Sequence, residues 1–319
     1  MRYLEEIGLN IANRYSPIYN IEEYKDNKIY IMRDDLIPFS FGGNKARKAI
    51  NFFKEIEKYN YDYVITYGSA SSNHCRIIAN LCKLNNIKCT IISTEKENET
   101  NNKIMCELFG VEFVYCNVED VKKTIEKQIR KKEKENFKPY FIQGGGHGNL
   151  GTQSYIDAYK EILEYEKNNN IKFNYIFHAS GTGTTQAGLV LGKIINNSNA
   201  KIVGISIARK LPRGRDVIID SIKDYIKEKK FKIEVKEQDV EFVDDYILGG
   251  YGKFNKKILD EIKEMLCNNG IPMNTTYTGK AYWGMKEYIK KENIKKTKIL
   301  FIHTGGTPIF FDIINKLEK

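Results

Sequence analysis

The chain has 319 residues, 41% hydrophobic and 29% charged, a balance that excludes wholesale disorder and suffices for one large domain or two compact ones. Its net charge of +10 admits an acidic partner, but the lysines are spread along the chain and no zinc-finger or RNP-type signature accompanies them, so nucleic-acid binding is not expected. The six cysteines (75, 82, 89, 106, 116 and 267) form no CxxC pair and no ligand-like group with the four histidines, which argues against structural zinc and a disulfide framework and fits a reducing cytosol.

MRYLEEIGLNIANRYSPIY, at the start, lacks the apolar core of a signal peptide, and no apolar run approaches a membrane span. The expectation is a soluble cytoplasmic protein. Residues 38–48 then read PFSFGGNKARK. Two glycines and an asparagine free the backbone there. Apolar residues at Ile50, Phe53 and Ile56 predict a helix from Lys45 to about Tyr59. Lys45 would thus stand at a helix N-terminus, where a cation is disfavoured unless an anion or a reactive carbonyl is its partner.

Beyond this point short β-rich runs alternate with amphipathic segments. YDYVITYG (61–68) reads as a strand, SNHCRIIANLCKLNN (72–86) as a helix and IKCTIIS (87–93) as a strand. NNKIMCELFG reads as a helix and VEFVYC as a strand. The lysine-dense run KQIRKKEKENFK (127–138) is interrupted by glutamates and reads as a solvated helical face. YFIQGGG, NYIFHASG, KIVGISIA and KILFIHTGG follow as strands, with helices over TQSYIDAYKEILEY, TTQAGLVLGKIIN, ILDEIKEMLCNNG and AYWGMKEYIKK. The alternation predicts an α/β protein with two open, twisted, mostly parallel sheets flanked by helices.

Four polar glycine turns follow strands: GSASSN (68–73), GGGHGNLG (144–151), SGTGTTQAG (180–188) and TGGTP (304–308). Ligands of open α/β sheets gather at the carboxyl ends of the strands, so the four turns together suggest one site. In SGTGTTQAG, Gly181 and Gly183 let successive N–H groups turn inward, Thr182, Thr184 and Thr185 add hydroxyl donors, and the next helix adds its dipole. The spacing is neither GxGxxG, since Gln186 stands for the third glycine, nor GxxxxGK[ST]. No acidic residue follows to bind a ribose. One phosphate monoester suits the loop better than a dinucleotide. A phosphate cradle, a lysine at a helix start and a small polar pocket are the parts that hold pyridoxal 5'-phosphate, whose aldehyde condenses with the lysine.

RDDLIPFSFGGNKARK, SNH (72–74), GTGTTQAG, GGYG (249–252), YTGKA (277–281) and FIHTGGTP (301–308) occur in an order that resembles the 1-aminocyclopropane-1-carboxylate deaminase/D-cysteine desulfhydrase family of fold type II pyridoxal-phosphate enzymes. The resemblance runs from about residue 30 to the end. It implies a tryptophan synthase β-like architecture, with a large cofactor-binding domain from residues 1–44 and 153–319, a small inserted domain from 45–152, the cofactor in the crevice between them, and a homodimer. It also implies roles. Lys45 becomes the Schiff-base lysine and the base that removes the Cα proton. Asn44 and Lys48 lie near the phosphate, with Gly181, Thr182, Gly183, Thr184 and Thr185 as its cradle. Ser72, Asn73 and His74 hold the substrate carboxylate, Asn73 also reaching the ring oxygen. Tyr251 and Tyr277 flank the substrate, Tyr277 against the ring, and Thr304 bonds the pyridine nitrogen. No metal is implied.

Deaminases of this family usually carry glutamate where Thr278 stands, leucine where Thr304 stands, and SNQ for SNH. The threonines match the desulfhydrases, which places Thr278 beside the substrate. The implied reaction is β-elimination from D-cysteine or a related β-substituted amino acid, giving pyruvate, ammonia and sulfide. The alternatives are the cyclopropane-acid deaminase, or a lyase or β-replacement enzyme with another leaving group. Gly145-Gly146-His147-Gly148 departs from the Gly-Gly-Ser-Asn of the desulfhydrases, and His147 reads equally as a polar contact or a loop residue. His178 and His303 read as structural.

Overall fold

The computed structural model describes residues 16–94, 96 and 99–317. An antiparallel hairpin comes first, β1 (Ile18–Tyr24) and β2 (Asn27–Arg33), with Lys25 and Asp26 at φ 52° and 62° in its turn. Two positive φ values give the backbone twist that a two-residue hairpin needs. Helix α1 (Asn44–Lys58) follows, then β3 (Tyr63–Tyr67), α2 (Asn73–Leu84), β4 (Lys88–Ser93), α3 (Asn101–Leu108), β5 (Glu112–Tyr115), α4 (Val121–Lys134) and β6 (Pro139–Ile142). The second half runs α5 (Asn149–Asn168), β7 (Tyr175–Ser180), α6 (Thr184–Ile195), β8 (Lys201–Ser206), α7 (Arg213–Lys229) and β9 (Glu241–Val243), then α8 (Lys256–Asn269), α9 (Thr278–Lys291), β10 (Lys298–His303) and α10 (Thr307–Phe311).

These elements form two compact units, Lys45–Leu150 and residues 16–44 with 151–317. The larger unit holds a six-stranded sheet in the order β1-β2-β10-β7-β8-β9, parallel except for the β1–β2 pair. Both faces are buried. On β10, Ile299 and Phe301 join one core with Ile31, Phe177, Val203 and the α8 and α9 residues Ile262 and Met285. Their neighbours Leu300 and Ile302 join the opposite core with Tyr155, Val190 and Ile222 from α5, α6 and α7. Alternate residues feeding two cores make β10 a continuous apolar run, and each buried Leu, Ile or Phe stabilises by about 1.5–3 kcal/mol.

The smaller unit holds a four-stranded parallel sheet in the order β5-β4-β3-β6, with Tyr63, Ile65 and Ile92 buried against Ile125 and Ile129 of α4. On α4, Lys132 departs from the solvated face expected for the lysine-dense run: it is buried, 3.0 Å from Glu112 and over the Tyr63 ring. In each sheet the chain reverses direction once. Building outward from β7 through β8 to β9, it returns to place β10 on the other side of β7; building from β3 through β4 to β5, it returns to place β6 beside β3. At such reversals the loops at the carboxyl ends splay apart and leave a crevice. The glycine turns expected from the sequence, after β3, β6, β7 and β10, are the loops that flank these two reversals.

Candidate functional site

In the larger unit, α6 starts at Thr184, and Gly183 before it has φ 101°. A side chain there would be strained, and its Cβ would meet the Val217 carbonyl oxygen at 3.2 Å. Having no side chain, Gly183 cannot cap the helix, and no acidic residue lies in the first turn. The first-turn N–H groups of a helix have no acceptor within the helix, and here that turn is buried. A small anion with several oxygens fits such a start. Thr184 and Thr185 are buried, Gly181 and Thr182 half-buried. Arg209 donates to the Gly181 carbonyl oxygen at 2.5 Å, which anchors the loop. Gln186, in place of a third glycine, is fully buried: it accepts from Ser180 Oγ and donates to the Glu241 carbonyl. Those bonds tie the helix start to the ends of β7 and β9.

Two further glycine turns meet beside it. Gly43 has φ 97°, and a Cβ would come within 2.7 Å of the Thr304 carbonyl oxygen. Asn44 N–H donates to that oxygen at 3.0 Å, and the Asn44 side-chain amide donates to Thr185 Oγ1 at 3.2 Å. One residue therefore joins the turn after β10 to the start of α6. Behind Thr304, a bidentate pair between Arg33 and Asp35 (2.8 and 2.7 Å) meets His303 Nδ1 at 3.1 Å, all buried. The charges of His303 and Arg33 hold the Asp35 carboxyl well below the usual carboxylate range.

Tyr251 and Tyr277 share a hydrogen bond of 2.5 Å, their rings edge to face at 5.9 Å. Tyr251 is 42% exposed. Thr278 is fully buried, and its hydroxyl accepts from the N–H of Asn274 at 3.0 Å and from the Asn274 side chain at 3.1 Å. It locks the turn that carries Tyr277. Lys280, also fully buried, donates to the carbonyls of Ile207, Ile247 and Gly250 at 3.3, 3.0 and 2.9 Å and so pins the GGYG loop that carries Tyr251. Burial lowers its ammonium to about 8.

In the smaller unit, Lys45 lies in the first turn of α1, as expected, and Lys48 one turn later is 1% exposed. Burial lowers the Lys45 amine to about 8. Burial, and then the charge of Lys45, push Lys48 well below the ordinary lysine value. Gly146, in the turn after β6, lies against the stem of Lys48. Ser72 caps α2 by accepting from Cys75 N–H at 3.2 Å, and Asn73 follows it, half-buried. His74 turns inward. The Thr66 hydroxyl donates to the Ile142 carbonyl at 2.7 Å and so faces His74 Nε2, at 2.8 Å, with its lone pair. The proton therefore sits on Nε2. Burial, aided by the charges of Lys45 and Lys48, pushes His74 well below its ordinary value, so the ring is neutral.

His178 is buried in β7 with Nδ1 3.1 Å from the Ala179 carbonyl oxygen, and His303 Nε2 donates to the Pro272 carbonyl at 3.0 Å. Both hold the fold. Sequence reasoning missed Arg76, Asn102, Arg209, Asn274 and Lys280. Only Lys280 and the Arg-Asp-Asp before the glycine turn carried a visible signal, as charges inside motifs otherwise apolar or small. Among the described residues no cluster of His, Cys, Asp and Glu could hold a metal ion, and no helix is long and apolar enough to cross a membrane.

The sequence profile of the family described as pyridoxal-phosphate dependent enzyme matches residues 11–305. A Pyrococcus horikoshii protein provisionally named 1-aminocyclopropane-1-carboxylate deaminase is 32% identical over 301 residues, 93% of this chain and 90% of its own. The D-cysteine desulfhydrase of Yersinia enterocolitica is 29% identical over 309 residues, 94% of this chain and 93% of its own. The crystal structure of an ACC deaminase homologue, 31% identical, superposes with a TM-score of 0.87 over 95% of this chain and 93% of its own.

Proposed function

Because the chain belongs to the pyridoxal-phosphate-dependent enzyme family, we propose that it is a carbon–sulfur lyase of the D-cysteine desulfhydrase type. It would eliminate sulfide from D-cysteine, or the β-substituent of a related amino acid, and one water then releases pyruvate and ammonia. The observation that carries the reading is Lys45, an amine lowered to about 8 in the first turn of a helix that opens beside a glycine turn. At pH 7 about one such amine in ten is neutral and nucleophilic, against roughly one in 3,000 at an ordinary lysine value.

The donor set fits a phosphorylated aldehyde: the backbone N–H groups and threonine hydroxyls at the α6 start, which no side chain of Gly183 caps, for the phosphate, and a desolvated amine for the carbonyl carbon. When bound, the cofactor supplies that aldehyde and a ring that delocalises the electron pair left at Cα. In this reading Asn44, Lys48 and Gly181 to Thr185 hold the phosphate, and Thr304 bonds the ring nitrogen. Lys45 takes the Cα proton. Ser72 and Asn73 hold the substrate carboxylate at the start of α2. His74, neutral and turned to Thr66, supports that turn rather than contributing charge. Tyr277 would face the ring, and its hydrogen bond with Tyr251 would let the pair hold or pass a proton beside the substrate. Residues 1–44 with 153–319 form the cofactor-binding domain and 45–152 the inserted one. The enzyme works as a homodimer in the cytoplasm, whose reducing conditions suit its six free thiols.

Thr278 and Thr304 favour elimination over opening of the cyclopropane acid, since a hydroxyl cannot hold a ring nitrogen protonated as a carboxylate can. The test offers purified protein D-cysteine, L-cysteine, cysteate, D-serine and the cyclopropane acid and quantifies keto acid. Pyruvate with sulfide from D-cysteine supports the proposal. 2-Oxobutyrate from the cyclopropane acid, with D-cysteine inert, replaces it with the deaminase. Borohydride treatment should fix the cofactor on Lys45, and a Lys45→Ala variant that keeps the wild-type rate would refute the assignment.

A further inference from the structure

Behind the turn that opens α2 lies a polar cluster that this function does not by itself explain. Arg76 and Asn102 are both fully buried. Arg76 Nη1 donates to Asn73 Oδ1 at 3.0 Å and to Asn102 Oδ1 at 2.8 Å. The Asn102 amide nitrogen donates to Asn73 Oδ1 at 3.0 Å and to the Ser71 carbonyl at 2.8 Å.

An arginine nitrogen carries only donors, so each carboxamide atom it meets must be oxygen. That fixes the orientation of both asparagines, which is otherwise ambiguous. Both protons of Arg76 Nη1 and both protons of the Asn102 amide are then used. Asn73 Oδ1 receives two donors, one for each lone pair, and has no capacity left for a ligand. Its –NH2 group, on the other branch of the carboxamide, is the half that remains for a molecule at the turn.

We propose that Arg76 and Asn102 are positioning residues that lock the Asn73 carboxamide in its donor orientation, so that the turn 71–73 accepts the carboxylate of an amino acid and rejects amines without one. Left to itself an asparagine can flip and present its oxygen, which would repel an anion. The clamp removes that alternative before any ligand arrives and also holds the Ser71 carbonyl out of the way. The inference rests on the reading of Ser72 and Asn73 as the carboxylate subsite.

N102D is the informative variant. It conserves size and keeps a buried oxygen partner for Arg76, but it replaces two donations by two acceptors, so the Asn73 oxygen loses one of its two donors and meets instead an acceptor that attracts the carboxamide –NH2. Wild type, N102D, N73A and N73A/N102D, each loaded with pyridoxal phosphate, are titrated with D-alanine, L-alanine and ethylamine while the cofactor absorbance is followed. Ethylamine shares the amine and lacks the carboxylate. The expected result is a loss of about ten-fold or more in affinity for the preferred alanine in N102D, with ethylamine within about two-fold. The double variant should be no weaker than N73A alone, since the clamp acts through Asn73.

Equal weakening of alanine and ethylamine in N102D would mean general damage to the turn and overturns the inference. So does an additive double variant, a wild-type preference for ethylamine, or an N73A variant that binds alanine normally; these leave the cofactor reading intact. A wild type that shows no absorbance change with pyridoxal phosphate removes that reading, and the inference with it.

Discussion

The backbone N–H of Asn44 donates to the carbonyl oxygen of Thr304 over 3.0 Å, and the residue before it, Gly43, lies against the same oxygen. A second glycine completes the contact: a Cβ on Gly305 would come within 2.6 Å of Gly43 Cα. Two turns nearly the whole chain apart thus pack backbone to backbone. The double glycine before Lys45 is there because nothing larger fits.

Gly43→Ala should be costly on two counts, a φ of 97° and a 2.7 Å approach to the Thr304 oxygen. Strain and overpacking together predict a loss of roughly 3 kcal/mol. Gly249 is the control: its φ is 87°, but nothing lies within 4 Å of its Cβ position. Gly249→Ala should cost only about 1 kcal/mol, the price of the backbone conformation alone. Urea unfolding at constant slope checks both. Equal losses would show that the close approach does not matter.

Lys45, with its amine lowered to about 8 by burial, predicts a pH profile for cofactor uptake by the apoprotein. The neutral amine attacks an aldehyde, so the rate should rise with pH up to about 8 and level off above it. An inflection near the ordinary lysine value of 10.5 would contradict the burial of this amine. The hydrogen bond from Lys45 to Lys48 acts in the opposite sense to burial and favours the charged form of Lys45. Lys48→Met should therefore move the inflection lower. Stopped-flow absorbance at constant ionic strength gives the answer.

His74 couples the fold to acid. Its folded pKa lies well below the unfolded value of 6.5, because burial disfavours the imidazolium. Between those values the unfolded chain binds more protons, so stability is lost as pH falls below about 6.5. His74→Gln should flatten that slope relative to wild type. Thr66→Val takes an acceptor from His74 and a donor from the Ile142 carbonyl, and should cost about 1–3 kcal/mol at pH 7. Urea midpoints at pH 5.5 and 7.5 would reveal either effect.

What the sequence makes legible follows from locality. The central strands of both sheets show as apolar runs because their two faces are buried, and the glycine turns show because positive φ excludes most other residues. The β1–β2 hairpin stays hidden: β1 is an edge strand with a half-exposed, charged sequence, IYNIEEY, whose alternation is weak. Helix α7 is obscured by the Leu-Pro-Arg-Gly at its start. Site residues that lie within motifs, such as Lys45 and Thr185, are readable. Their supports are not, since Asn102 and Lys280 act on residues 29 and 30 positions away whose approach depends on the fold. His74 reads from sequence as part of an anion-binding turn. Its inward orientation depends on Thr66 and the end of β6, which no spacing reveals.

Lys280 offers the last test, of the loop that carries Tyr251. Its three carbonyl acceptors hold Ile247 and Gly250 to the end of β8, yet burial lowers its ammonium to about 8 in the fold, against 10.5 unfolded. The unfolded state binds more protons between those values. The protein should therefore gain stability from this residue as pH rises from about 8 to 10.5, the reverse of a lysine in a salt bridge. Lys280→Met removes the titration and leaves three carbonyls without their donor, so the gap between wild type and variant should widen from pH 8 to pH 10. Freed of its anchor, the loop should also carry Tyr251 away from Tyr277, lowering kcat while the cofactor still binds. A variant with a constant stability gap across that range and an unchanged kcat would show that the loop holds its shape without the buried cation.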